Sequence, residues 1–460
     1  MSEVDGLTIG DTRGQPETDS ADAETDLARL RQVAAPTTGI ITGVRRVPVP
    51  PGEPAIESYV VEREDFAPLT DGRAMPHEEG GCGFSREAAL VATYGEAIER
   101  YCGCLYRQDA FRTASYVDLA ESTAESAIDP TDVVNFSPQQ RASMAGSADL
   151  YDPGDELSWT VGQHLESGAE TYVPAQLVYL SYPTDAEPFV RNPISTGLAA
   201  GSTPAMAIRN GLCELIERDA FMIWYLTETE LPIVDLGTAP PRLRRLADRV
   251  TGHGLELTVL DATTDLGVPV AITVVVDRSG GPAVTVAAAA DPDATTAITG
   301  ALEEAVQTRL WGIHNIDSMG RSAADLTPDE ITSFEDRGLF WSVEERIADL
   351  DFWIESSRST TVGEFQADEF AAADLEAADL VEQVTAAGHD CYAVDVTTRD
   401  VDALGFTVQR VVAPRLQPLY LLERLRYFGG DRLSRTPVEM GYRETQPTAE
   451  SLTTVPHPFP

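Results

Sequence analysis

The hydrophobic and polar positions of this chain follow two periods, and together they predict a protein of the α+β class. Long apolar segments with helical spacing follow two glycine-containing stretches, and a third helix is predicted from Asp293 to Trp311. A further helix is predicted near Asp374–Ala387, and residues 320–370 read as acidic and irregular. Strands are predicted at residues 56–63, 157–163, 171–174, 255–260, 268–276, 284–290, 391–396 and 406–413.

Two of the predicted helices end in the same pattern, E-x-x-E-R, at Glu96–Arg100 and again at Glu214–Arg218. Glutamates three residues apart share one helical face, and each pair follows a long apolar run. Because these carboxylates cannot all point to water, they need a cation or a hydrogen-bond donor. Four carboxylates on two matched helices therefore indicate a divalent-metal site between two related halves.

The residues around the two patterns repeat as well. Glycine turns are predicted at 80–83 and 197–201, and Ser85 is the predicted N-cap of the first helix. A duplicated strand–glycine turn–helix unit would bring the two acidic clusters together across a pseudo-twofold axis. The predicted organisation is a disordered acidic segment at 1–34, a catalytic domain at 35–446 with halves at about 36–190 and 191–446, and a proline-rich tail at 447–460.

The charge of the chain is strongly acidic, with 75 Asp and Glu against 33 basic residues and a formal net charge of −42. Every basic residue is arginine, which excludes a P-loop and lysine Schiff-base chemistry. One interpretation is an acidic surface that binds a partner. The other, favoured because the acids are spread along the whole chain, is adaptation to the salt-filled cytoplasm of a halophilic microbe such as an archaeon.

Cysteine and histidine usage narrows the chemistry further. The five cysteines form no C-x-x-C pair and the six histidines no H-x-x-x-H, which argues against zinc sites and a disulfide framework. No basic stripe, signal pattern or membrane-length apolar run is present in the sequence. We therefore expect a cytoplasmic protein that binds neither nucleic acid nor membrane.

A third acidic element, Glu304 with Gln307, lies on the helix after the strand-rich region. Carboxylates for Mg²⁺, arginines for phosphate and glycine turns near helix starts are what a nucleotide triphosphate requires without a P-loop. Taken singly, each E-x-x-E-R is more often a surface salt bridge. The repeated apolar flanks favour a metal–nucleotide site.

At this point the chain resembles the YcaO family, from about residue 36 to its C-terminus. The segments that carry the resemblance are 85–100, 195–201 through 217–220, 304–307, 394–397 and 409–418. The resemblance implies two pseudo-symmetric strand–helix halves with ATP at their junction. It implies Mg²⁺ ligands at Glu96, Glu99, Glu214 and Glu217. It implies nucleotide contacts from Ser85, Arg100, Ser202, Arg218, Glu304, Gln307 and Arg410.

The implied activity is ATP-dependent phosphorylation of a peptide-bond oxygen in a ribosomally made precursor peptide. A neighbouring Cys, Ser or Thr attacks the amide carbon, phosphate leaves and an azoline ring remains. The alternatives are a thioamide-forming ATPase that uses external sulfide and a docking scaffold without turnover. A separate leader-binding or sulfur-delivery partner is expected, and a homodimer is left open.

The C-terminal Pro456-x-Pro458-x-Pro460 resembles the tail of azoline-forming members, whose C-terminus reaches the active site. The resemblance assigns catalytic roles to Pro460 and Arg410. Without it, a solvated polyproline tail would be preferred. Many relatives carry an acidic metal ligand where Met206 stands, so the sequence leaves open whether one Mg²⁺ site is complete.

Overall fold

The computed structural model describes most of the chain and allows the predicted elements to be compared with it. The described residues are 29–35, 37, 39–63, 66, 78–122, 126–146, 149–366 and 376–459. Residues 1–28 of the predicted disordered segment, and Pro460, lie outside them. Residues Arg31–Val33, which the prediction placed in the same segment, form a short 3-10 helix.

The strands and helices of the described residues confirm the predicted α+β class. The strands are β1 (Ile41–Arg46), β2 (Glu57–Arg63), β3 (Glu78–Gly83), β4 (Arg112–Ser115), β5 (Glu156–His164), β6 (Glu170–Pro174), β7 (Leu198–Gly201), β8 (Ile233–Asp235), β9 (Glu256–Asp261), β10 (Val270–Val276), β11 (Val284–Ala290), β12 (Ser359–Thr361), β13 (Tyr392–Asp395) and β14 (Thr407–Val412). The α-helices are α1 (Arg86–Cys104), α2 (Tyr116–Glu121), α3 (Pro138–Met144), α4 (Pro204–Leu226), α5 (Pro241–Thr251), α6 (Ala294–Asn315), α7 (Phe334–Phe340), α8 (Asp351–Ile354), α9 (Val362–Phe365), α10 (Ala377–Ala386), α11 (Arg399–Ala403) and α12 (Arg432–Glu439).

The strands form three sheets. One has the order β1-β2-β3, a second β11-β10-β9-β8-β12, and a third β4-β5-β13-β14-β7 with β6 paired to β5. Pairing is antiparallel except between β8 and β12. Strands β10 and β11 are buried on both faces, which explains why their sequences are continuous apolar runs rather than alternating ones.

Three long helices pack on these sheets and are central to the candidate site. Helix α1 packs on β3 and β2, α4 on β14 and β7, and α6 on β11 and β10. The end of each strand leads directly into its helix, β3 into α1 and β7 into α4. The predicted strand–glycine–helix repeat is therefore present, although β3 and β7 belong to different sheets.

Three details differ from the prediction. The predicted glycine turn at 197–201 is a strand from Leu198 to Gly201, with Gly197 just before it. The stretch Gly80–Gly83, expected as a tight turn, is part of strand β3, because its backbone pairs with β2 whatever its side chains. Glycine fits there since a Cβ at Gly81 would lie 2.3 Å from the backbone nitrogen of Thr93 on α1. Residues 320–366, expected as irregular, contain α7, α8, β12 and α9. No helix in the described part of the chain combines the length and apolarity that a bilayer crossing requires.

Candidate active site

A cavity of about 450 Å³ lies between α1, α4 and α6. Its size falls within the usual range for small-molecule sites. Its lining includes Gly80, Gly81, Glu96, Glu99, Arg100, Met206, Arg209, Glu214, Arg218, Asp291, Glu303, Glu304 and Gln307. The two E-x-x-E-R patterns and the third acidic element thus meet at one cavity, as the repeat suggested.

The first pattern faces the cavity from α1. Ser85 begins this helix by accepting a hydrogen bond from the backbone of Ala88 at 3.2 Å. Arg100 Nε donates to Glu96 at 2.8 Å, one turn away, and both side chains remain about 30% exposed. Glu99 instead reaches across to the second unit and accepts a 2.8 Å hydrogen bond from the backbone of Ala200 in β7.

The surroundings of Glu99 strongly affect the pKa of its carboxyl group. Burial raises the pKa of the Glu99 carboxyl well above its usual range, and the nearby Glu96 carboxylate raises it further. The hydrogen bond from Ala200 acts in the opposite direction, and Glu214 adds to the rise. Such a group keeps its charge most readily when a cation lies beside it.

The second pattern faces the cavity from α4. Glu214 accepts a 3.0 Å hydrogen bond from the backbone of Gly197 and a weaker one, 3.4 Å, from Arg218 Nη2. Gly197 has φ +86°, and a Cβ there would lie 2.3 Å from the Val411 carbonyl oxygen. Glycine is therefore required for the loop to present this N–H to the carboxylate.

Glu217 and Arg218 are more deeply placed than their counterparts in α1. The Glu217 side chain is completely buried and accepts a very short hydrogen bond from Arg218 Nη1. Arg218 is 10% exposed and lines the cavity, where it bridges Glu217 and Glu214. The second arginine is thus held by two carboxylates, whereas Arg100 forms a direct pair with one.

Helix α6 supplies the third wall. Glu303 accepts a 2.8 Å hydrogen bond from the backbone of Phe84, in the turn that enters α1. Burial raises the pKa of the Glu303 carboxyl to about 7. Glu304 and Gln307 line the cavity, and the Gln307 amide lies near Gly80 of β3. This helix therefore connects the cavity to the start of the first acidic helix.

Three of the predicted nucleotide contacts, Ser85, Ser202 and Arg410, are not part of the cavity lining. Ser85 and Ser202 are exposed near the starts of α1 and α4, where Thr203, not Ser202, is the N-cap. Arg410 is buried on β14 and donates to the carbonyl oxygens of Leu177, Ser195 and Ile194 at 2.7–3.0 Å. Burial and the charge of Arg191 lower the pKa of Arg410 to about 9.

The fit of this site to a metal ion rests on its donor set. Among the described residues, no group of three or more His, Cys, Asp or Glu side chains forms a ready-made metal cage, and arginines hold Glu96, Glu214 and Glu217 in ion pairs. Glu96 and Glu214 nevertheless raise the pKa of the Glu99 carboxyl, and all three residues line one cavity. Oxygen donors of this kind suit Mg²⁺, which also takes phosphate oxygens, so the residues present fit the predicted group.

Two contacts of the site were not predicted from the sequence, although the family resemblance implied that the C-terminus reaches the active site. Arg209 donates to the buried Asp291 at 2.8 Å, and both residues line the cavity. The ring of Phe459 packs against the guanidinium of Arg218, with 4.1 Å between the guanidinium carbon and the ring centroid. Sequence spacing gave no signal for either contact, because the partners are far apart along the chain.

Comparison with known proteins gives one family match. The family model described as YcaO cyclodehydratase, ATP- and Mg²⁺-binding, matches residues 80–417. An uncharacterized protein in the tfuA 3′ region of Rhizobium leguminosarum bv. trifolii is 29% identical over 247 residues, which is 51% of this chain and 55% of that protein. An uncharacterized Methanothermobacter thermautotrophicus protein is 30% identical over 238 residues, 51% of this chain and 57% of that one. The match thus spans little more than half the length of these curated relatives.

Solved structures share the fold. A heterocyclase in complex with substrate and cofactor has a TM-score of 0.77 at 24% identity, and the match covers 100% of this chain and 59% of that one. The heterocyclase TruD has a TM-score of 0.61 at 25% identity, with 80% and 50% covered. The protein YcaO from Methanopyrus kandleri bound with AMPPCP and Mg²⁺ has a TM-score of 0.59 at 20% identity, with 85% and 88% covered.

Proposed function

This chain belongs to the YcaO family, whose members bind ATP and Mg²⁺, and from that premise we propose that it is a cyclodehydratase acting on a ribosomally made precursor peptide. In the proposed reaction a Cys, Ser or Thr side chain of the peptide attacks the carbon of the preceding amide bond. The amide oxygen takes the γ-phosphoryl group of ATP and leaves as phosphate, while ADP is released. One azoline ring forms and the peptide loses one water.

The observation that carries this proposal is the convergence of both E-x-x-E-R helices on one cavity. Glu96, Glu99 and Glu214 are the proposed Mg²⁺ ligands on its surface, with Glu217 joining them if its contact with Arg218 opens. Bound Mg²⁺ would neutralise charge on the triphosphate. Phosphoryl transfer needs mainly positioning and charge neutralisation, so a protein nucleophile is not required.

The arginines and the third wall have distinct proposed roles. Arg100 and Arg218 line the cavity and offer planar donors to phosphate oxygens. Glu304 and Gln307 would orient the nucleotide from α6. Arg410 donates to the carbonyls of Ile194 and Ser195, which border the cavity, and so would act by fixing that loop. The roles proposed for Ser85, Ser202 and Pro460 rest on the family resemblance.

The substrate and partners are also proposals. Heterocyclases are among the structures that this chain resembles, and one of them is described in complex with its substrate. Another fold relative is the Escherichia coli microcin synthetase McbBCD complex, with a TM-score of 0.55 at 12% identity. We therefore propose a peptide substrate and a separate partner protein that captures its leader.

The test is a reconstitution with the protein, a candidate partner, the precursor peptide, ATP and Mg²⁺, read by mass spectrometry. The expected result is loss of one water per ring and equal release of ADP, both dependent on Mg²⁺. A matched reaction supplied with sulfide distinguishes the thioamide alternative, which would exchange oxygen for sulfur. Intact peptide in both reactions, despite partner binding, would leave only the docking-scaffold alternative.

A further inference from the structure

The segment that follows α12 returns along helix α4 towards the cavity. The carbonyl oxygen of Pro456 accepts hydrogen bonds from Tyr225 Oη and Trp341 Nε1, both at 3.0 Å. The next carbonyl, that of His457, accepts from the buried Arg337 at 2.7 Å. These bonds come from Tyr225 on α4, Arg337 on α7 and Trp341 directly after α7, and they fix the backbone of the segment beside α4.

The segment places the ring of Phe459 between two side chains of α4. Phe459 is completely buried, and its ring centroid lies 4.6 Å from that of Phe221 in an edge-on arrangement. Its other contact is the Arg218 guanidinium, 4.1 Å from the ring centroid. Residues 218 and 221 are three apart and share one face of the helix, so a single ring contacts both.

The contacts of Arg218 show what this ring could control. Its Nη1 donates to Glu217 and its Nη2 to Glu214, so the plane of the guanidinium determines how the two proposed metal ligands are held. Its Nε is buried and has no hydrogen-bond partner in the part of the chain that the structure describes. The hydrogen bonds of Nη1 and Nη2 do not by themselves fix the plane of the guanidinium. The ring of Phe459, which packs against the guanidinium, supplies the further constraint.

We propose that Phe459 is a positioning residue that sets the orientation of Arg218 and, through it, the balance between Glu217 and Glu214 at the Mg²⁺–nucleotide site. This role rests on the proposed function of that site. With the ring in place, Arg218 favours Glu217 and leaves Glu214 on the cavity surface. Without it, Arg218 can turn towards Glu214 and compete with the metal ion for that carboxylate.

The first E-x-x-E-R copy supports this interpretation by contrast. Arg100 donates to a single oxygen of Glu96 through both Nε and Nη2, so its Nε has the acidic partner that Arg218 Nε lacks among the described residues. Arg218 reaches its two glutamates through Nη1 and Nη2 and has the aromatic ring over its face. The two arginines are thus oriented by different means, one by an acidic partner and one by an aromatic residue.

The experiment measures binding of a non-hydrolysable ATP analogue by calorimetry across a range of Mg²⁺ concentrations. Phe459→Leu keeps an apolar side chain but removes the π face, and we expect the Mg²⁺ concentration for half-maximal binding to rise about tenfold. Phe459→Tyr keeps the face, and we expect a shift of no more than about twofold. The matched control is Phe406→Leu, because Phe406 is also buried with an arginine, Arg29, over its ring at 5.1 Å.

A purely structural role would lower the thermal unfolding midpoint of Phe459→Leu without moving the Mg²⁺ midpoint, and that result would overturn the proposal. An equal Mg²⁺ shift in Phe406→Leu would also overturn it. If the wild type binds no nucleotide, the proposed function fails instead. Thermal unfolding of Phe459→Leu, Arg218→Gln and the double variant without ligand then decides separately whether the two side chains are coupled.

Discussion

The two copies of E-x-x-E-R occupy different environments although their sequences match. In α1, Glu96 and Arg100 are each about 30% exposed and pair with one another at the cavity wall. In α4, Glu217 is completely buried, Arg218 is 10% exposed, and Phe459 covers the guanidinium. A repeated motif therefore predicts paired helices without predicting equal surroundings for their charges.

Because their surroundings differ, the two arginines contribute unequally to folding. An exposed ion pair contributes little to stability because water and salt screen it. A buried carboxylate that loses its cation is costly, because the remaining charge is not solvated. The first copy can therefore be tuned for ligand binding, while part of the second is also required by the fold.

The largest effect is expected for the carboxylates themselves. Glu99→Gln and Glu217→Gln should each abolish ATP hydrolysis, by well over a hundredfold, because each removes a proposed metal ligand. The comparison predicts a difference in stability. Glu99→Gln relieves repulsion with Glu96 and should leave the thermal midpoint of the ligand-free protein unchanged or higher. Glu217→Gln should lower it.

Phosphate release and thermal scans of both variants provide the measurement. Glu87→Gln, an exposed acid in the first turn of α1, is the control and should match the wild type in both. Wild-type hydrolysis in Glu99→Gln would rule out the metal assignment. Equal midpoints in Glu99→Gln and Glu217→Gln would remove the contrast between the two copies.

The next largest effect is expected for the two arginines, whose replacement should lower stability by different amounts. Arg218→Gln leaves the buried Glu217 without its ion pair and is expected to lower the free energy of unfolding by about 3–5 kcal/mol. Arg100→Gln breaks a pair that is about 30% exposed and should cost less than about 1 kcal/mol. Urea unfolding at constant salt measures both. Equal losses of unfolding free energy in Arg218→Gln and Arg100→Gln would show that the two arginines contribute equally to folding.

Much of the fold could be predicted from the sequence because burial leaves a periodic signal. The helices with E-x-x-E-R, strands β9 to β11, the β5–β6 hairpin and helix α6 all appear where apolar spacing predicted them. The YcaO family, the α+β class and binding of ATP and Mg²⁺ by the family are confirmed. The domain bounds, the individual ligand roles, the choice between azoline and thioamide, and the halophilic source stay predictions.

The remaining features could not be predicted because they depend on backbone hydrogen bonds and on contacts between side chains far apart in the sequence. Strand β3 is held by pairing with β2, and a run such as Gly80–Gly83 has no side-chain pattern that would reveal it. Arg410 binds carbonyl oxygens, which every residue carries, so its partners leave no trace in the sequence. Phe459 covers Arg218 from the opposite end of the chain, a contact that only the tertiary fold defines.

Helix α6 offers a smaller test, because it contacts the entrance of the first helix through Glu303. Burial raises the pKa of this carboxyl to about 7, so the folded state binds its proton more tightly than the unfolded state. Stability from this group is complete below about pH 4.5 and is lost as the pH rises to about 7. Glu303→Gln should therefore be more stable than the wild type by about 2 kcal/mol at pH 8, with no gain at pH 4.5. A gain that is independent of pH would contradict this assignment.

The smallest effect compares one glycine in each acidic helix. Nothing lies within 4 Å of a Cβ placed at Gly95 in α1, so Gly95→Ala should stabilise the protein by about 1 kcal/mol through helix propensity. In α4, a Cβ at Gly211 would lie 2.7 Å from a Val411 methyl carbon and 2.8 Å from the Gly197 carbonyl oxygen. Gly211→Ala should therefore destabilise the protein by about 1–2 kcal/mol despite the same gain in propensity. Chemical unfolding measures the change in stability of both variants. A gain in Gly95→Ala with a loss in Gly211→Ala would mean that, of these two helices, α4 is the one packed tightly against β14 and against the loop whose backbone binds Glu214. Changes of the same sign would mean that the two helices are packed alike.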